Sequence, residues 1–269
     1  MKQYSKVLTI AGSDSGGGAG IQADIKTISA LGCYAASAIT AITVQNTQGV
    51  TGVHPVPVSY VRGQIKAVLE DIGADSVKIG MLQSGSIVDC VAQVLAMYHV
   101  TDIVLDPVMV STSGHRLIEE SAVEALKQRL IPMSRVITPN IPEAEILLGG
   151  FALNSLESLS TGVRKLADMF GVSVLLKAGH LEGERLVDYF YNIEDDELVE
   201  LPSRRIETVN THGTGCTMSS AFAANLAKGM SLTQAAVGAK EYINNAIISG
   251  SEYEIGHGHG PVNHFFIIS

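Results

Sequence analysis

Short apolar runs alternate along the chain with segments in which apolar residues recur every three or four positions. The run KVLTIAG is typical of a buried strand, and GIQADIKTISALG, which follows, is typical of a helix that ends at Gly32. The run YAASAITAITVQ predicts a second strand. In SGSIVDCVAQVLAMYHV the apolar residues have helical spacing, which predicts a helix with one core-facing stripe.

Four later runs also predict strands, each followed by a helical pattern: DSVKIGM, TDIVLDPVMV, SRVITPN and VSVLLKAGH. RLVDYFYN and ELVELPS flank the acidic turn IEDD and predict a hairpin at a sheet edge. Helices are predicted from about Thr214 to Lys228, before Gly229, and from Thr233 to about Ile248. Because strands alternate with helices, we predict a three-layer α/β/α fold with a mostly parallel sheet of eight or nine strands. We expect one domain that spans residues 1–269.

Composition supports a globular protein and narrows its partners. Hydrophobic residues make up 46% of the chain and charged residues 17%, which is enough apolar material for a continuous core. The formal charge of −9, without a cluster of Lys and Arg, opposes binding to nucleic acid or to an anionic membrane. An anionic ligand would therefore have to be bound by local groups, such as a helix N-terminus, a single lysine or a bridging cation.

The cysteines and the N-terminal segment indicate a cytoplasmic protein. Cys33, Cys90 and Cys216 are odd in number and far apart, which suits a reducing compartment better than a disulfide framework. The segment MKQYSKVLTIAG has no long apolar region of the kind found in secretory signals. No apolar stretch approaches the length of a membrane-spanning helix.

Polar and glycine residues concentrate just after the predicted strands. Ligands of open parallel sheets bind beyond the carboxyl ends of the strands. The segments at those ends are GSDSGGGAG, QNTQG, GML, DPVM, TPNIPE, KAGH and THGTGC. We expect the chemistry of the protein at this rim of the sheet.

The glycine loop AGSDSGGGAG does not match either common nucleotide-binding pattern. It lacks the Gly-Lys-Ser/Thr of a Walker loop, and Ile21 stands where a dinucleotide fingerprint needs its third glycine. Two interpretations remain. The loop is either a tight connection between strand and helix, or a loop whose backbone approaches a small ligand, with Asp14 or Asp24 offering a carboxylate.

The GTGC segment carries a stronger signal because it precedes a predicted helix. Backbone N–H groups at a helix start can converge on an anion, and Gly213 and Gly215 leave the approach free of side chains. The positive end of the helix dipole is expected to lower the pKa of Cys216. A lower pKa favours a thiolate that accepts a proton from an alcohol. The alternative is a small buried packing residue in an Ala-rich helix, which is also the interpretation for Cys33 and Cys90.

The combined segments resemble the hydroxymethylpyrimidine/phosphomethylpyrimidine kinases of thiamine biosynthesis, within the ribokinase-like superfamily. The resemblance covers nearly the whole chain and rests on IAGSDSGGGAGIQADIKT, ITAITVQNTQGV, VKIGML, DPVMV, TPNIPEAE, KAGH, HGTGC and GHGHGPVNHF. It implies a ribokinase-like fold, a homodimer, and dependence on ATP and Mg²⁺. It also implies phosphorylation of the hydroxymethyl group of a 4-amino-2-methylpyrimidine, followed by phosphorylation of the monophosphate to the diphosphate.

The resemblance also implies a role for each matching residue. Cys216 matches the position of the catalytic base, and the anion hole before it comprises Gly213, Thr214 and Gly215. Magnesium and the ATP phosphates are expected near Asp106, Glu143 and Asn140. The other expected nucleotide contacts are Lys177, Thr208, Val209 and His212. The pyrimidine is expected to contact Gly12, Asp24, Gln45, Met81 and Val108.

Several of these residues also have a chemical rationale or an alternative. The Gln45 amide offers a donor and an acceptor, which matches the amino group and adjacent ring nitrogen of an aminopyrimidine. Met81 is either a deformable contact to the ring or a core residue, and His212 is either a ligand contact or a structural hydrogen-bonding residue. The C-terminal His257, His259 and His264 have poor spacing for a metal site. We expect that segment to pack near the substrate loops instead.

The sequence departs from the family pattern at two positions, and three other functions are alternatives. Gly17 stands where the family commonly has serine, and His115 where it commonly has aspartate. A pyridoxal or pyridoxine kinase shares the scaffold and is the nearest alternative. A sugar kinase would usually carry an aspartate in place of Cys216. A non-catalytic ligand-binding protein on the same fold is a further alternative.

Overall fold

The computed structural model describes residues 2–109, 118–179 and 185–268. Nine strands lie within these ranges: β1 (Lys6–Asp14), β2 (Tyr34–Asn46), β3 (Gly49–Pro55), β4 (Ser76–Ile79), β5 (Ile103–Leu105), β6 (Val136–Ile137), β7 (Ser173–Leu176), β8 (Arg185–Asn192) and β9 (Glu197–Arg204). The α-helices of the same ranges are α1 (Gly20–Ala30), α2 (Val58–Asp71), α3 (Gly85–Met97), α4 (Glu120–Ala125), α5 (Ile141–Leu147), α6 (Leu156–Phe170), α7 (Thr214–Ala227) and α8 (Leu232–Gly250). A π-helical turn, Leu126–Leu130, and a 3-10 turn, Ile131–Met133, follow α4.

The strands form one sheet in the order β3-β2-β1-β4-β5-β6-β7-β8-β9. The pairs from β2 through β7 are parallel, whereas β3 pairs antiparallel with β2 at one edge. At the other edge β7, β8 and β9 are antiparallel neighbours, and β8 and β9 form the predicted hairpin. The mostly parallel sheet is thus confirmed.

Helices cover both faces of the sheet, because successive strand residues point to opposite sides. Leu8 and Leu105 belong to one core cluster, which includes residues of α2, α3 and α6. Their neighbours Val7 and Val104 belong to the other cluster, which includes residues of α1, α7 and α8. These three layers confirm the predicted α/β/α fold class.

Two elements near the β2 edge are not predicted by the apolar pattern. Strand β3 contains two glycines and a proline, and its side chains are half-buried or exposed, so no clear alternation marks it. Helix α2 buries only Val61 and Ile65 and contains Gly63, which weakens its helical pattern. In contrast, Gly32 and Gly229 adopt positive φ just after α1 and α7, as expected of glycines that end helices.

The loop between β1 and α1 lies against the start of α7. Gly213 precedes α7 with φ 81°, and a Cβ at this position would overlap the carbonyl oxygen of Gly18. Gly20 also has positive φ, and a Cβ there would overlap the Gly12 carbonyl oxygen. These two glycines therefore permit a close approach that any other residue would block.

Within the described parts of the chain, every helix is either too short or too polar to cross a membrane.

Candidate active site

A cavity of about 740 Å³ lies at the carboxyl ends of the parallel strands. The last residues of β2 and the segments after β1, β4, β5, β6 and β7 reach it, together with the start of α7. Most of the residues predicted to contact ligands line it: Gly12, Gln45, Met81, Asp106, Val108, Asn140, Glu143, Lys177, His212, Gly213, Thr214, Gly215 and Cys216. The topology accounts for this gathering, because parallel strands bring their carboxyl ends to one edge.

The start of α7 points its first-turn N–H groups at the cavity. Intrahelical bonding begins with the Thr217 N–H, which donates to the Gly213 carbonyl at 2.9 Å. The Thr214 N–H is turned back toward the Thr211 carbonyl at 3.4 Å, which leaves the N–H groups of Gly215 and Cys216 best placed for an anion. The geometry thus favours two N–H donors for an anion, where the sequence predicted three.

The N-terminal end of α7 also adjoins charged side chains. A Cβ at Gly215 would lie 3.1 Å from the Lys177 ammonium nitrogen and 3.6 Å from the Asp106 Oδ2 atom. The helix end, a lysine and a carboxylate therefore surround one small volume.

Cys216 is half-buried and lies where the β1–α1 loop meets α7. The backbone N–H of Gly20 in that loop favours the thiolate and so tends to lower the pKa of the thiol. Burial raises the pKa of the Cys216 thiol to about 11, and the charges of Asp24 and Asp106 add to this rise, whereas Lys78 opposes it. The prediction of a lowered pKa is therefore wrong. Burial of the sulfur disfavours its charged form more strongly than the positive potential expected at a helix start favours it.

Asp106 is fully enclosed by partners. Lys177 donates to its Oδ1 atom at 2.7 Å and the Thr138 hydroxyl at 3.0 Å, while the Ser219 hydroxyl lies 3.4 Å from Oδ2. Burial opposes ionisation, but the charges of Lys177 and Lys78 hold the pKa of Asp106 below its usual value. Asp106 is thus an ionised carboxylate at the floor of the cavity.

Glu143 and Asn140 form a capping box at the start of α5. The Asn140 backbone N–H donates to the Glu143 carboxylate, and the Glu143 N–H donates to Asn140 Oδ1, both at 2.9 Å. Burial raises the pKa of Glu143 to about 7; Lys177 opposes the rise and Asp106 adds to it. Two neighbouring buried carboxyl groups lower each other's acidity unless a cation joins them.

The donor set fits magnesium better than a metal enclosed by protein ligands. Asp106 and Glu143 supply carboxylate oxygens, which Mg²⁺ prefers, and both line the cavity. Among the described residues, no group of three or more His, Cys, Asp or Glu side chains is arranged to hold a metal ion. Mg²⁺ characteristically takes few protein ligands and completes its shell with phosphate oxygens and water.

The other end of the cavity has the features expected of a pocket for a flat ring. Met81 and Val108 line it with apolar surface, and Gln45 adds an amide. A Cβ at Gly12 would lie 2.7 Å from the Met81 Cε, so the glycine gives Met81 its space. Met81 belongs both to the core and to the cavity wall, so the two interpretations of this residue hold together.

Asp24 does not reach the cavity, which corrects the predicted pyrimidine contact. Its side chain is fully buried, and Lys78 Nζ lies 2.8 and 2.9 Å from its two oxygens. Hydroxyl groups of Ser220, at 2.7 Å, and Thr9 also donate to it. Lys78 lies in a strand that is buried on both faces, so it needs a counter-charge, and Asp24 supplies one.

Thr208 and Val209 lie outside the cavity lining, which corrects their predicted nucleotide contact. Val209 is 64% exposed, and the Thr208 hydroxyl oxygen accepts a hydrogen bond from the Asn210 N–H at 3.0 Å. The chain turns away here to bury Asn210. Arg204, Arg205 and Ile206 of the same segment line the cavity instead.

His212 lines the cavity beside Gln45, the residue expected to bind the pyrimidine. Its Nε2 atom is 2.8 Å from Asp14 Oδ2 and 3.4 Å from Gln45 Nε2. The C-terminal segment holds this region as expected. The His212 N–H donates to the Gly260 carbonyl, and the His259 N–H donates to the Thr47 carbonyl.

The remaining C-terminal histidine with a clear role is structural. His264 is buried, and its Nε2 lies 3.1 Å from the Thr217 hydroxyl. Burial lowers the pKa of His264 to about 4, so the ring is neutral at physiological pH. His115 and His180, from the segments SGHRL and KAGH, lie outside the described residues.

The sequence did not predict two lysine–carboxylate pairs whose lysines line the cavity. One is Lys78 with Asp24; in the other, Lys240 of α8 donates to Asp188 of β8 at 2.7 Å. The available signal was a charged residue inside an apolar run, as in SVKI and RLVDYFYN, because such a charge is costly unless it is paired.

Comparison with known proteins identifies the family. A model of the phosphomethylpyrimidine kinase family matches residues 14–263. The chain belongs to the phosphomethylpyrimidine kinase family. The hydroxymethylpyrimidine/phosphomethylpyrimidine kinase of Rhizobium meliloti (strain 1021) is 47% identical over 258 residues, which make up 96% of this chain and 96% of that protein.

Solved structures of two kinases share the fold. Phosphomethylpyrimidine kinase from Clostridium difficile 630 matches 90% of this chain and 99% of its own, with a TM-score of 0.79 and 42% identity. An ADP complex of Bacillus subtilis pyridoxal kinase matches 98% of this chain and 99% of its own, with a TM-score of 0.90 and 35% identity. The backbone of the pyridoxal kinase thus superposes well on this chain, whereas its sequence is less similar than that of the phosphomethylpyrimidine kinase.

The raised pKa of Cys216 predicts slow alkylation at neutral pH. Because iodoacetamide reacts with the thiolate, the rate at Cys216 should climb about tenfold per pH unit from pH 7 to 9 and should not level off in that range. Peptide mapping after timed labelling would measure this rate, and Cys216→Ser identifies the peptide. A rate that levels off by pH 8 would show that the helix field dominates after all.

Proposed function

We propose that this enzyme transfers the γ-phosphoryl group of ATP to 4-amino-5-hydroxymethyl-2-methylpyrimidine, and then phosphorylates the monophosphate to the diphosphate. One observation carries the proposal. A single cavity is lined by the Gln45 amide with Met81 and Val108, by the charged pair Asp106 and Lys177, and by Cys216. This arrangement supports an acceptor alcohol facing a bound triphosphate.

The charged half of the cavity would hold the phosphates. Phosphoryl transfer depends mainly on positioning and on neutralising charge around the transferred group. The N–H groups of Gly215 and Cys216 and the Lys177 ammonium group supply positive potential there. Asp106 and Glu143 would hold magnesium, which when bound would screen the negative charge of the triphosphate. Asn140 lines the same region and would contact the phosphates.

The adenosine part of ATP would lie toward β9 and α8. Arg204, Arg205 and Ile206 line that wall together with Ile243 and Ile247 of α8. These side chains combine apolar surface for a base with positive charge for phosphates.

The ring pocket favours the pyrimidine over pyridoxal. An amide that pairs with an amino group and a ring nitrogen penalises ligands that leave these groups unpaired. Gln45 provides such an amide, between Met81 and the polar residues Thr43 and His212.

Cys216 would serve the first transfer more than the second. The alcohol loses a proton as it attacks, whereas the monophosphate is already anionic. With a pKa of about 11, roughly one Cys216 sulfur in ten thousand is a thiolate at pH 7 in the free protein. A thiolate base of this kind makes the first step faster as pH rises.

The back of the strand that carries Gln45 supports a homodimer. Ile42 and Val44 of β2 are 51% and 63% exposed, and they point away from the cavity because Thr43 and Gln45 point toward it. A second copy would cover this apolar surface. We place the dimer in the cytoplasm, where free thiols such as Cys33, Cys90 and Cys216 persist.

An assay of ADP release tests the proposed activity. With purified protein, Mg²⁺ and ATP, we expect release with the pyrimidine alcohol and much slower release with pyridoxal, because only the pyrimidine satisfies the Gln45 amide. Product analysis would show the monophosphate and then the diphosphate. Pyridoxal preferred by a wide margin would indicate a pyridoxal kinase, and binding of both ligands without ADP release would indicate a non-catalytic protein.

Replacing Cys216 separates the two steps. Cys216→Ala should lower the rate with the alcohol by about 10² or more, since general base catalysis contributes on that scale, and should lower the rate with the monophosphate far less. The rise of the first rate with pH should also disappear. Cys90→Ala, at a buried cysteine away from the cavity, is the matched control. Equal losses in both steps would remove the assignment of Cys216 as the base.

A further inference from the structure

Gln45 lies in a chain of polar contacts that runs from Asp14 to Ser13. One end of its amide, Nε2, is 3.4 Å from His212 Nε2, and the other, Oε1, is 3.0 Å from the Thr43 hydroxyl oxygen. His212 Nε2 is in turn 2.8 Å from Asp14 Oδ2, and the Thr43 hydroxyl is 2.9 Å from the Ser13 carbonyl oxygen. The number of protons available to each group decides how this chain is arranged.

At the first end of the chain, His212 must be the donor. Asp14 accepts backbone N–H groups from Gly16, Gly18 and Ala19 at 2.8 to 3.1 Å, so its carboxylate is surrounded by donors and is held ionised. An ionised carboxylate offers only lone pairs. His212 therefore directs a proton from Nε2 to Asp14, and the same nitrogen has no lone pair left for Gln45.

At the second end, Thr43 has only one hydroxyl proton. The Ser13 carbonyl can only accept, so the Thr43 proton goes to it, and Thr43 offers a lone pair to Gln45. An amide oxygen beside Thr43 would thus face a lone pair, and an amide nitrogen beside His212 would face an N–H group. Half a turn of the amide removes both conflicts, and its nearly equal ends permit this without a change in packing. The amide N–H then donates to the Thr43 oxygen, and the amide oxygen replaces an N–H group beside the His212 N–H, whose proton remains directed at Asp14.

We infer that His212 and Thr43 together hold the Gln45 amide with its oxygen toward His212 and its nitrogen toward Thr43, and that this orientation selects a 4-aminopyrimidine over a 4-oxopyrimidine. In this orientation one lone pair of the oxygen and one N–H of the nitrogen remain for a ligand. His212 directly precedes Gly213 at the start of α7, so the amide oxygen is at the end nearer the reacting groups.

The substrate edge matches that order of acceptor and donor. The hydroxymethyl group must point toward the start of α7, and the amino group is its neighbour on the ring, so the amino N–H meets the amide oxygen. The next ring nitrogen is an acceptor and meets the amide N–H. A 4-oxo ring carries an acceptor followed by an N–H, which is the opposite order. A 4-oxo ring would be accepted only if Gln45 turned. The turn would place an amide N–H against the His212 N–H and the amide oxygen against the Thr43 lone pair. This inference rests on the proposed pyrimidine substrate, and His212 and Thr43 act in it as positioning residues.

The test compares kcat/KM for the amino substrate and for its 4-oxo analogue. The unaltered enzyme should favour the amino compound by a factor of about 10² or more, because the rejected ring leaves buried polar groups unpaired. Thr43→Val, which keeps the side-chain shape but removes the lone pair, should reduce this ratio about tenfold, the value of one hydrogen bond. His212→Phe, which removes the N–H group that disfavours the turned amide, should also reduce the ratio. Thr43→Ser keeps the hydroxyl and should keep the ratio.

The ratio separates orientation from a purely structural role and from the proposed activity. A structural defect lowers kcat/KM for both compounds by the same factor, so an unchanged ratio in both Thr43→Val and His212→Phe would overturn the inference. If the unaltered enzyme does not turn over the amino compound, the proposed function fails. The ratio of the two dissociation constants, measured by calorimetry on the same four proteins, then decides the inference by the same criterion.

Discussion

The site depends on a close contact between two backbone segments, the β1–α1 loop and the start of α7. Gly213 and Gly20 have no side chains at the points where the carbonyls of Gly18 and Gly12 approach. Because of this contact, Gly20 of the loop and Cys216 of the helix line the same cavity. A larger residue at position 213 would push the helix start away from the loop, and the thiol, the anion-binding N–H groups and the ring pocket would no longer share one cavity.

Buried charges around this contact allow an acidic protein to bind a polyphosphate. The chain carries a formal charge of −9, yet Lys78, Lys177 and Lys240 are each paired with a carboxylate at or beneath the cavity. Such pairs are costly to bury and even more costly to break, which keeps the lysines in place. The same burial accounts for the raised pKa of Cys216. The site therefore has ammonium groups held in fixed positions at the cavity, a local arrangement that the net charge does not reveal.

Sequence patterns predict the parts of this structure that depend on local spacing. The helices that end near Gly32 and Gly229 and the hairpin of β8 and β9 follow from glycine positions and apolar runs. The patterns fail where tertiary burial decides. Asp24 looks like a ligand contact until Lys78 is seen beside it, and the pKa of Cys216 rises because surrounding protein excludes water. Neither fact depends on near neighbours in the sequence, so spacing could not predict it.

The central claim is that Cys216 faces the acceptor oxygen while the Gln45 amide holds the adjacent edge of the ring, which carries the amino group. A crystal structure with Mg²⁺, a non-hydrolysable ATP analogue and the pyrimidine alcohol tests this claim most directly. We expect the hydroxymethyl oxygen within hydrogen-bond distance of the Cys216 sulfur, pointing at the γ-phosphorus, with the amino group on Gln45. A hydroxymethyl group turned away from Cys216, or a ring bound without Gln45, would contradict the account.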